Sequence, residues 1–186
     1  MGGDPTGLTM AVQSFSQNDL ITVSDALDIA EDVTGNFYKF SIGQWKRHRY
    51  DVKTYPFLKG REISESAFAV LNKGLATTGG LDREARGRDV YFICLQDHRI
   101  LSAVGRDARL ALFPLLVYIL THELVHIVRF CSFHQRFDAP RREREQEERL
   151  VHKITFKILR NLPLRRMNYV LDAYRGHRMF DMVSQP

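Results

Sequence analysis

Cysteine is scarce in this chain, which has only Cys94 and Cys131 among its 186 residues. Two thiols cannot build the set of bridges that stabilises small secreted domains, so a disulfide framework is excluded. We expect both cysteines to be buried and reduced. The segment 1–7 also lacks a basic stretch followed by an apolar one, so no signal peptide is predicted and the expected location is cytoplasmic.

A large excess of charge of one sign is also missing. The formal net charge is +5, and the hydrophobic and charged fractions of 44% and 26% are ordinary for a globular protein. The arginines of 141–149 alternate with glutamates, which is typical of a solvated helix face. Other basic clusters lie at 46–49, 83–88 and 160–166, and no aromatic-rich binding signature accompanies them. A nucleic-acid partner is therefore disfavoured.

One apolar run approaches the length of a membrane span, at residues 110–128. It contains Pro114 and ends in a cluster of two histidines and a glutamate, so we expect a buried helix and no membrane partner. The chain length predicts one domain over 1–186, with a flexible segment at 1–15 and no internal repeats.

The end of this run reads His122-Glu123-Leu124-Val125-His126. Residues four apart lie on the same face of a helix, so both imidazoles can reach one metal ion. Glu123 follows the first histidine, where it can hold a water molecule rather than the metal. Polar side chains cost stability in an apolar helix, which indicates that these have a function. The H-E-x-x-H pattern is typical of hydrolases in which zinc activates water and the glutamate takes its proton.

Periodicity and turn residues predict the elements of the chain. The first half is expected to contain a helix over 19–33 broken at 34–36, strands over 38–42 and 50–55, a short helix over 64–73, a turn at Gly79-Gly80 and a polar loop over 82–88. The second half is expected to contain a strand over 89–95, its hairpin partner over 99–104, and helices over 108–130, 142–161 and 164–174. This order predicts an α+β fold, in which a small antiparallel or mixed sheet precedes the motif helix and a second, ligand-bearing helix.

Zinc bound by two histidines normally takes a third protein ligand and leaves its fourth position open. The available donors are His134 and the glutamates of the helix over 142–161. The longer H-E-x-x-H-x-x-G-x-x-H pattern is disfavoured, because Arg129 and Ser132 stand in place of its glycine and its third histidine.

Helical phase favours Glu148 and leaves Glu147 open. Glu148 stands at the head of an apolar stripe with His152 one turn below it. Glu147 heads a comparable apolar face that lacks a polar partner, whereas Glu143 and Glu145 lie among arginines and are expected to be solvated. His152 either orients a metal ligand or is an ordinary half-buried histidine.

Residues 148–159 resemble E-x-x-A-N-x-F-A-x-x-L-L, the second motif of gluzincin-type zinc metallopeptidases in their minimal bacterial and phage forms. Val151, His152 and Thr155 stand where that motif has its first alanine, its asparagine and its second alanine. The resemblance covers about residues 89–160, and within it the H-E-x-x-H motif is the highly specific part.

This resemblance implies a zincin-like fold and a zinc metalloendopeptidase that acts on a protein or peptide. The residues it implies are His122, His126 and Glu148 as zinc ligands and Glu123 as general base. In the family an edge strand just before the motif helix pairs with extended substrate, and residues 91–95 or 100–104 are expected to do so here. Side chains of a suitable type to stabilise the oxyanion are Tyr169, Tyr174 and His177.

Two other classes of protein remain open. A non-catalytic, zinc-stabilised binding or regulatory module would keep the metal ligands and hydrolyse nothing. A helical di-iron carboxylate protein is the second, because Glu123 and His126 satisfy the E-x-x-H pattern. Glu148 and His152 are one residue too far apart to supply the second copy of that pattern, which disfavours this class.

Overall fold

The computed structural model describes residues 13–75 and 89–175, which form a mixed α+β fold. The helices in these ranges are α1 (Gln17–Tyr38), α2 (Ile42–Arg47), α3 (Asp97–Arg106), α4 (Leu112–Cys131), α5 (Arg141–Leu159) and α6 (Met167–Ala173). The strands are β1 (Tyr50–Lys53), β2 (Ala69–Leu75) and β3 (Asp89–Leu95), with single 3-10 turns at Tyr55–Phe57 and Gly60–Glu62. The expected α+β class is confirmed, whereas the expected turn at Gly79-Gly80 and loop over 82–88 lie outside the described residues.

The three strands form a mixed sheet in the order β1-β3-β2. β1 runs parallel to β3 with Tyr50 opposite Tyr91, and β2 runs antiparallel to β3 with Ala69 opposite Leu95. Alternate residues of β3 belong to different clusters, because side chains of a strand alternate between its two faces. Ile93, like Tyr91 and Leu95, joins the main core, while Cys94 joins a smaller cluster beneath the 3-10 turns. The strand predicted over 89–95 is confirmed, and β1 confirms the core of the strand predicted over 50–55.

Helix α4 is the central element of the core, and α1, α5 and α6 all pack against it. Every side chain from Pro114 to Val128 is buried. Pro114 lies in the first turn, where a missing N–H breaks no intrahelical hydrogen bond. By length and hydropathy α4 is the one described helix that could cross a membrane, but 83% of its most apolar window is buried inside the fold. The motif helix predicted over 108–130 is therefore confirmed, with its start four residues later.

Helix α1 continues through the break that the sequence predicts at 34–36. It begins with a capping box in which Ser16 accepts a hydrogen bond from the Asp19 backbone and Asp19 accepts one from Ser16. Gly35 is helical, and its lack of a side chain allows close approach: a Cβ there would lie 3.2 Å from the carbonyl oxygen of Phe40. The chain leaves the helix only at Lys39, in the left-handed conformation.

Three other predicted elements are wrong. Residues 38–42 do not form the predicted strand. They connect two helices, since α1 ends at Tyr38 and Ser41 caps the N-terminus of α2. The helix predicted over 64–73 is replaced by strand β2, whose residues Ala69, Val70 and Leu71 are almost fully buried on both sides of the sheet. Such an apolar run has no periodicity that distinguishes a buried strand from a buried helix.

The hairpin partner predicted over 99–104 is helix α3, which packs Ile100 and Ala103 into the core. The reason lies in Gln96, which directly precedes α3, and in Asp97, its first residue. The Gln96 side chain accepts a hydrogen bond from the Ser64 backbone, and Asp97 accepts bonds from the backbones of Phe15 and Tyr55. These long-range bonds turn the chain away from the sheet. Phe15, in the segment expected to be flexible, is itself buried; residues 1–12 lie outside the described residues.

Candidate metal site

Two buried histidines of α4 form one half of the site. His122 and His126 are one turn apart on the same helix face and have no solvent exposure. Their Nε2 atoms lie 3.2 Å apart. The sequence prediction that both imidazoles point to a common position is therefore confirmed.

Helix α5 brings the carboxylate of Glu148 to these two nitrogens. Its Oε1 lies 3.0 Å from His122 Nε2, and its Oε2 lies 3.1 Å from His126 Nε2. Ligand atoms of the three residues all lie within 4.8 Å of one another, which is a suitable arrangement for holding a metal ion. The Glu148 side chain keeps 14% of its exposure, so the cluster lies where the core meets the solvent. Of the residues left open by the sequence, His134 is exposed outside this cluster.

Glu147 faces a different partner. Its carboxylate forms a two-point ion pair with Arg129 of α4, in which Arg129 Nη2 donates to Glu147 Oε2 over 2.8 Å. Adjacent residues of a helix point about 100° apart, so anchoring Glu147 to Arg129 turns Glu148 towards the histidines. The structure thus separates two glutamates that the sequence pattern left as alternatives.

The charges of the cluster suit a cation. Burial lowers the pKa of His122 to about 3, so its ring nitrogens are neutral at neutral pH. Burial also opposes a charge on His126, but hydrogen bonding to Glu148 raises its pKa above the usual value. Burial raises the pKa of Glu148 less than the two histidines lower it, and the carboxylate is therefore ionised. Neutral imidazole and carboxylate are the donors that zinc accepts, so His122 and Glu148 are in the required form and His126 has to release any proton before it can bind an ion.

Glu123 lies beside the cluster without joining it. The residue is 2% exposed, and among the described residues its Oε1 has no hydrogen-bond partner. Burial raises its pKa to about 8. A buried carboxylate oxygen without a partner is costly, and His126 Nδ1 is in the same situation. The Glu123 oxygen can therefore accept a hydrogen bond from a group that enters the site, whereas His126 Nδ1 lies on the ring edge opposite the Nε2 atom that faces Glu148.

Tyr118 and His152 form a layer behind Glu148. The Tyr118 hydroxyl lies 3.1 Å from His152 Nδ1, and His152 Nε2 lies 3.5 Å from Glu148 Oε1. With the hydroxyl donating to Nδ1, the ring proton is on Nε2, which is the nitrogen that lies 3.5 Å from Glu148 Oε1. His152 therefore contacts the carboxylate that the phase argument favoured. Tyr118 was missed, although its place one turn before His122 and the need of a buried hydroxyl for a partner are visible in the sequence.

Other expected components of the site lie elsewhere. Tyr169 donates its hydroxyl proton to Asp107, with the Arg109 guanidinium over its ring. The Tyr174 ring stacks on that of Tyr118 at 6.1 Å, so it is one ring away from His152. His177 lies outside the described residues. The substrate-pairing edge expected at 91–95 or 100–104 is wrong, because β3 is paired on both sides and the second segment is helical.

Both cysteines are free thiols, as expected. Cys94 is buried and Cys131 is half-buried. Burial raises their pKa values to about 11 and about 12, respectively. Neither belongs to the cluster of metal-ligating side chains among the described residues.

No family model matches this chain, and no curated protein and no solved structure shows significant similarity to it. The motif and the geometry of the site are therefore the features of this chain that indicate a function. Within the described ranges the cluster holds one carboxylate, whereas a di-iron centre needs several bridging carboxylates.

Proposed function

We propose that this protein is a zinc-dependent metalloendopeptidase of zincin-like fold, with a gluzincin-type set of ligands. The proposal rests on one observation: the ligand atoms of His122, His126 and Glu148 lie within 4.8 Å of one another, and the buried Glu123, on the helix of the two histidines, has a carboxylate oxygen, Oε1, without a hydrogen-bond partner among the described residues. Two imidazoles and one carboxylate are a known ligand set of catalytic zinc, which leaves its fourth position open.

Zinc is the ion that this donor set fits best. Calcium and magnesium prefer six or more oxygen ligands, and the cluster offers oxygen from one residue only. Structural zinc sites are closed by four protein ligands, whereas the cluster among the described residues has three, which leaves the fourth position for a reactant. When bound here, zinc would lower the pKa of a water molecule and polarise the carbonyl group of the scissile bond.

The chain itself supplies the proton transfer. Glu123 accepts a proton from the attacking water molecule while the oxygen of that water bonds to the scissile carbon. Glu123 then delivers the proton to the leaving nitrogen when the C–N bond breaks. Burial raises the pKa of Glu123 to about 8, and the positive charge of a bound zinc ion would lower that pKa, so that the carboxylate is ionised and can act as the base. His152, held by Tyr118, orients the Glu148 carboxylate.

The decisive experiment compares the wild type with Glu123→Gln on a peptide library read by mass spectrometry. We expect Glu123→Gln to retain zinc and to lose hydrolysis by at least about 100-fold, because an amide cannot take the proton. Glu143→Gln, on the exposed side of α5, serves as the matched control and should cleave like the wild type. Unchanged cleavage by Glu123→Gln would refute its role. Bound zinc without cleavage of any peptide by the wild type would instead favour the non-catalytic zinc module.

A further inference from the structure

The C-terminal half of α5 and the loop after it carry positive charge only. No aspartate or glutamate occurs between Glu148 and Asp172. The cationic residues in this interval are all exposed, and they are Arg149, Lys153, Lys157, Arg160, Arg165 and Arg166. This asymmetry sets the segment apart from the first half of α5, where arginines and glutamates alternate.

Four of these residues lie on the outer face of α5 and are here called the basic strip: Arg149, Lys153, Lys157 and Arg160. With 3.6 residues per turn they fall within about 80° of arc, and they span about 16 Å along the helix axis. The opposite face of the same helix is buried, with Val151 and Leu159 in contact with the interior. The basic strip therefore faces away from the core.

Among the described residues, no carboxylate pairs with the basic strip. Arg141, in the first half of α5, pairs with Glu145 one turn later at 3.2 Å. In the described part of the chain no aspartate or glutamate forms an ion pair with a member of the strip, and Lys157 instead lies 5.4 Å from the ring centre of Phe37. Like charges four residues apart on a helix repel one another. The strip thus weakens the isolated helix, and an anionic partner would relieve that repulsion.

We propose that the basic strip binds the phosphate backbone of a nucleic-acid duplex. Cations about 6 Å apart along a helix form a regular row, which fits a repeating line of phosphates better than the scattered carboxylates of a protein surface. Contacts of this kind position a protein on the duplex without reading its sequence. The alternation of charges that disfavoured such a partner holds for 141–148 and ends at Arg149. The inference does not depend on zinc or on hydrolysis.

Salt-dependent binding to a fluorescent duplex of about 20 base pairs tests this proposal. Fluorescence anisotropy is followed between about 50 and 200 mM salt for the wild type and for the variant with all four strip residues changed to Gln. Each phosphate contact contributes about 0.9 to the slope of log affinity against log salt, so the slope should fall by about 3.6. Lys153→Gln combined with Lys157→Gln should lower it by about half as much.

A matched control removes four exposed cations from other elements: Lys46, Arg47, Arg61 and Arg106, each changed to Gln. It has the same net charge as the strip variant and should keep the slope of the wild type. Equal loss in both quadruple variants, or no wild-type binding at low salt, would overturn the proposal. Tighter binding to polyglutamate than to the duplex would also overturn it, in favour of an acidic protein partner. Circular dichroism of each variant checks that it is folded.

Discussion

Arg129 and Glu147 form a buried ion pair that joins α4 to α5, and Glu147 directly precedes the carboxylate that reaches the histidines. The two side chains are only 12% and 4% exposed. Because Arg129 lies one turn after His126, a single pair of contacting helices carries both the ion pair and the metal-ligating cluster. The ion pair engages Glu147, which leaves Glu148 as the glutamate of this adjacent pair that faces the site.

Removing one partner of this pair should destabilise the protein. We expect Glu147→Gln to lower the free energy of unfolding by about 3 kcal/mol, because Arg129 is left buried without its counter-charge. Urea denaturation measures the effect. Glu145→Gln, which breaks only the surface pair with Arg141, should cost less than about 1 kcal/mol. Similar losses in both variants would show that the Arg129 pair is no more than a surface contact.

Elemental analysis should distinguish the two adjacent glutamates. We expect about one zinc per chain in the wild type, and its loss in His126→Ala and Glu148→Ala, because both changes remove a ligand. Glu147→Ala should still take up zinc when it is folded. Retention of zinc by Glu148→Ala would exclude Glu148 as the third ligand.

Removal of the metal should lower thermal stability. An ion present at about 100 times its dissociation constant stabilises the folded state by about 2.7 kcal/mol, which corresponds to about 5–10 °C in Tm for a chain of this size. Calorimetry before and after treatment with a chelator measures the shift, and added zinc should restore it. A Tm that chelator leaves unchanged would contradict a resident metal.

Tyr118→Phe tests the layer behind Glu148. The change deletes one hydroxyl group and should weaken zinc affinity about 10-fold or more, because His152 then loses the bond that orients it towards the carboxylate. Competition with a zinc chelator gives the affinity. Tyr174→Phe keeps the stacked ring and is the control, with an expected affinity close to that of the wild type. Equal affinities in all three proteins would show that Tyr118 only fills space.

The two thiols should react slowly in the folded protein. The pKa values of Cys94 and Cys131, about 11 and about 12, leave at least about 100-fold less thiolate at pH 8 than in an ordinary cysteine. Alkylation by iodoacetamide, followed by mass spectrometry, should become faster as the pH rises towards 11. At pH 8 it should also become fast when urea unfolds the chain. Rapid labelling of the folded protein at pH 8 would contradict this.

Predictions from the sequence succeeded where structure depends on neighbours along the chain. The strand at 89–95 is rich in β-branched and aromatic residues, and the helices predicted over 108–130 and 142–161 have apolar runs or helical periodicity. The structure contains all three elements, as β3, α4 and α5. Predictions failed at 64–73 and 99–104, where distant partners decide. Segment 69–75 is a strand because β3 pairs with it, and α3 is a helix because Gln96 and Asp97 bind backbone groups far away in sequence.

The site divides in the same way. The sequence alone predicts that His122 and His126 lie on one face of a helix, next to Glu123. Residues four apart are nearly one turn apart in any α-helix, whatever that helix packs against. The choice between Glu147 and Glu148 depends on the rotation of α5 about its own axis. Only tertiary structure decides that rotation, because it follows from the contact with Arg129 on another helix, across a distance in sequence that helical periodicity does not encode.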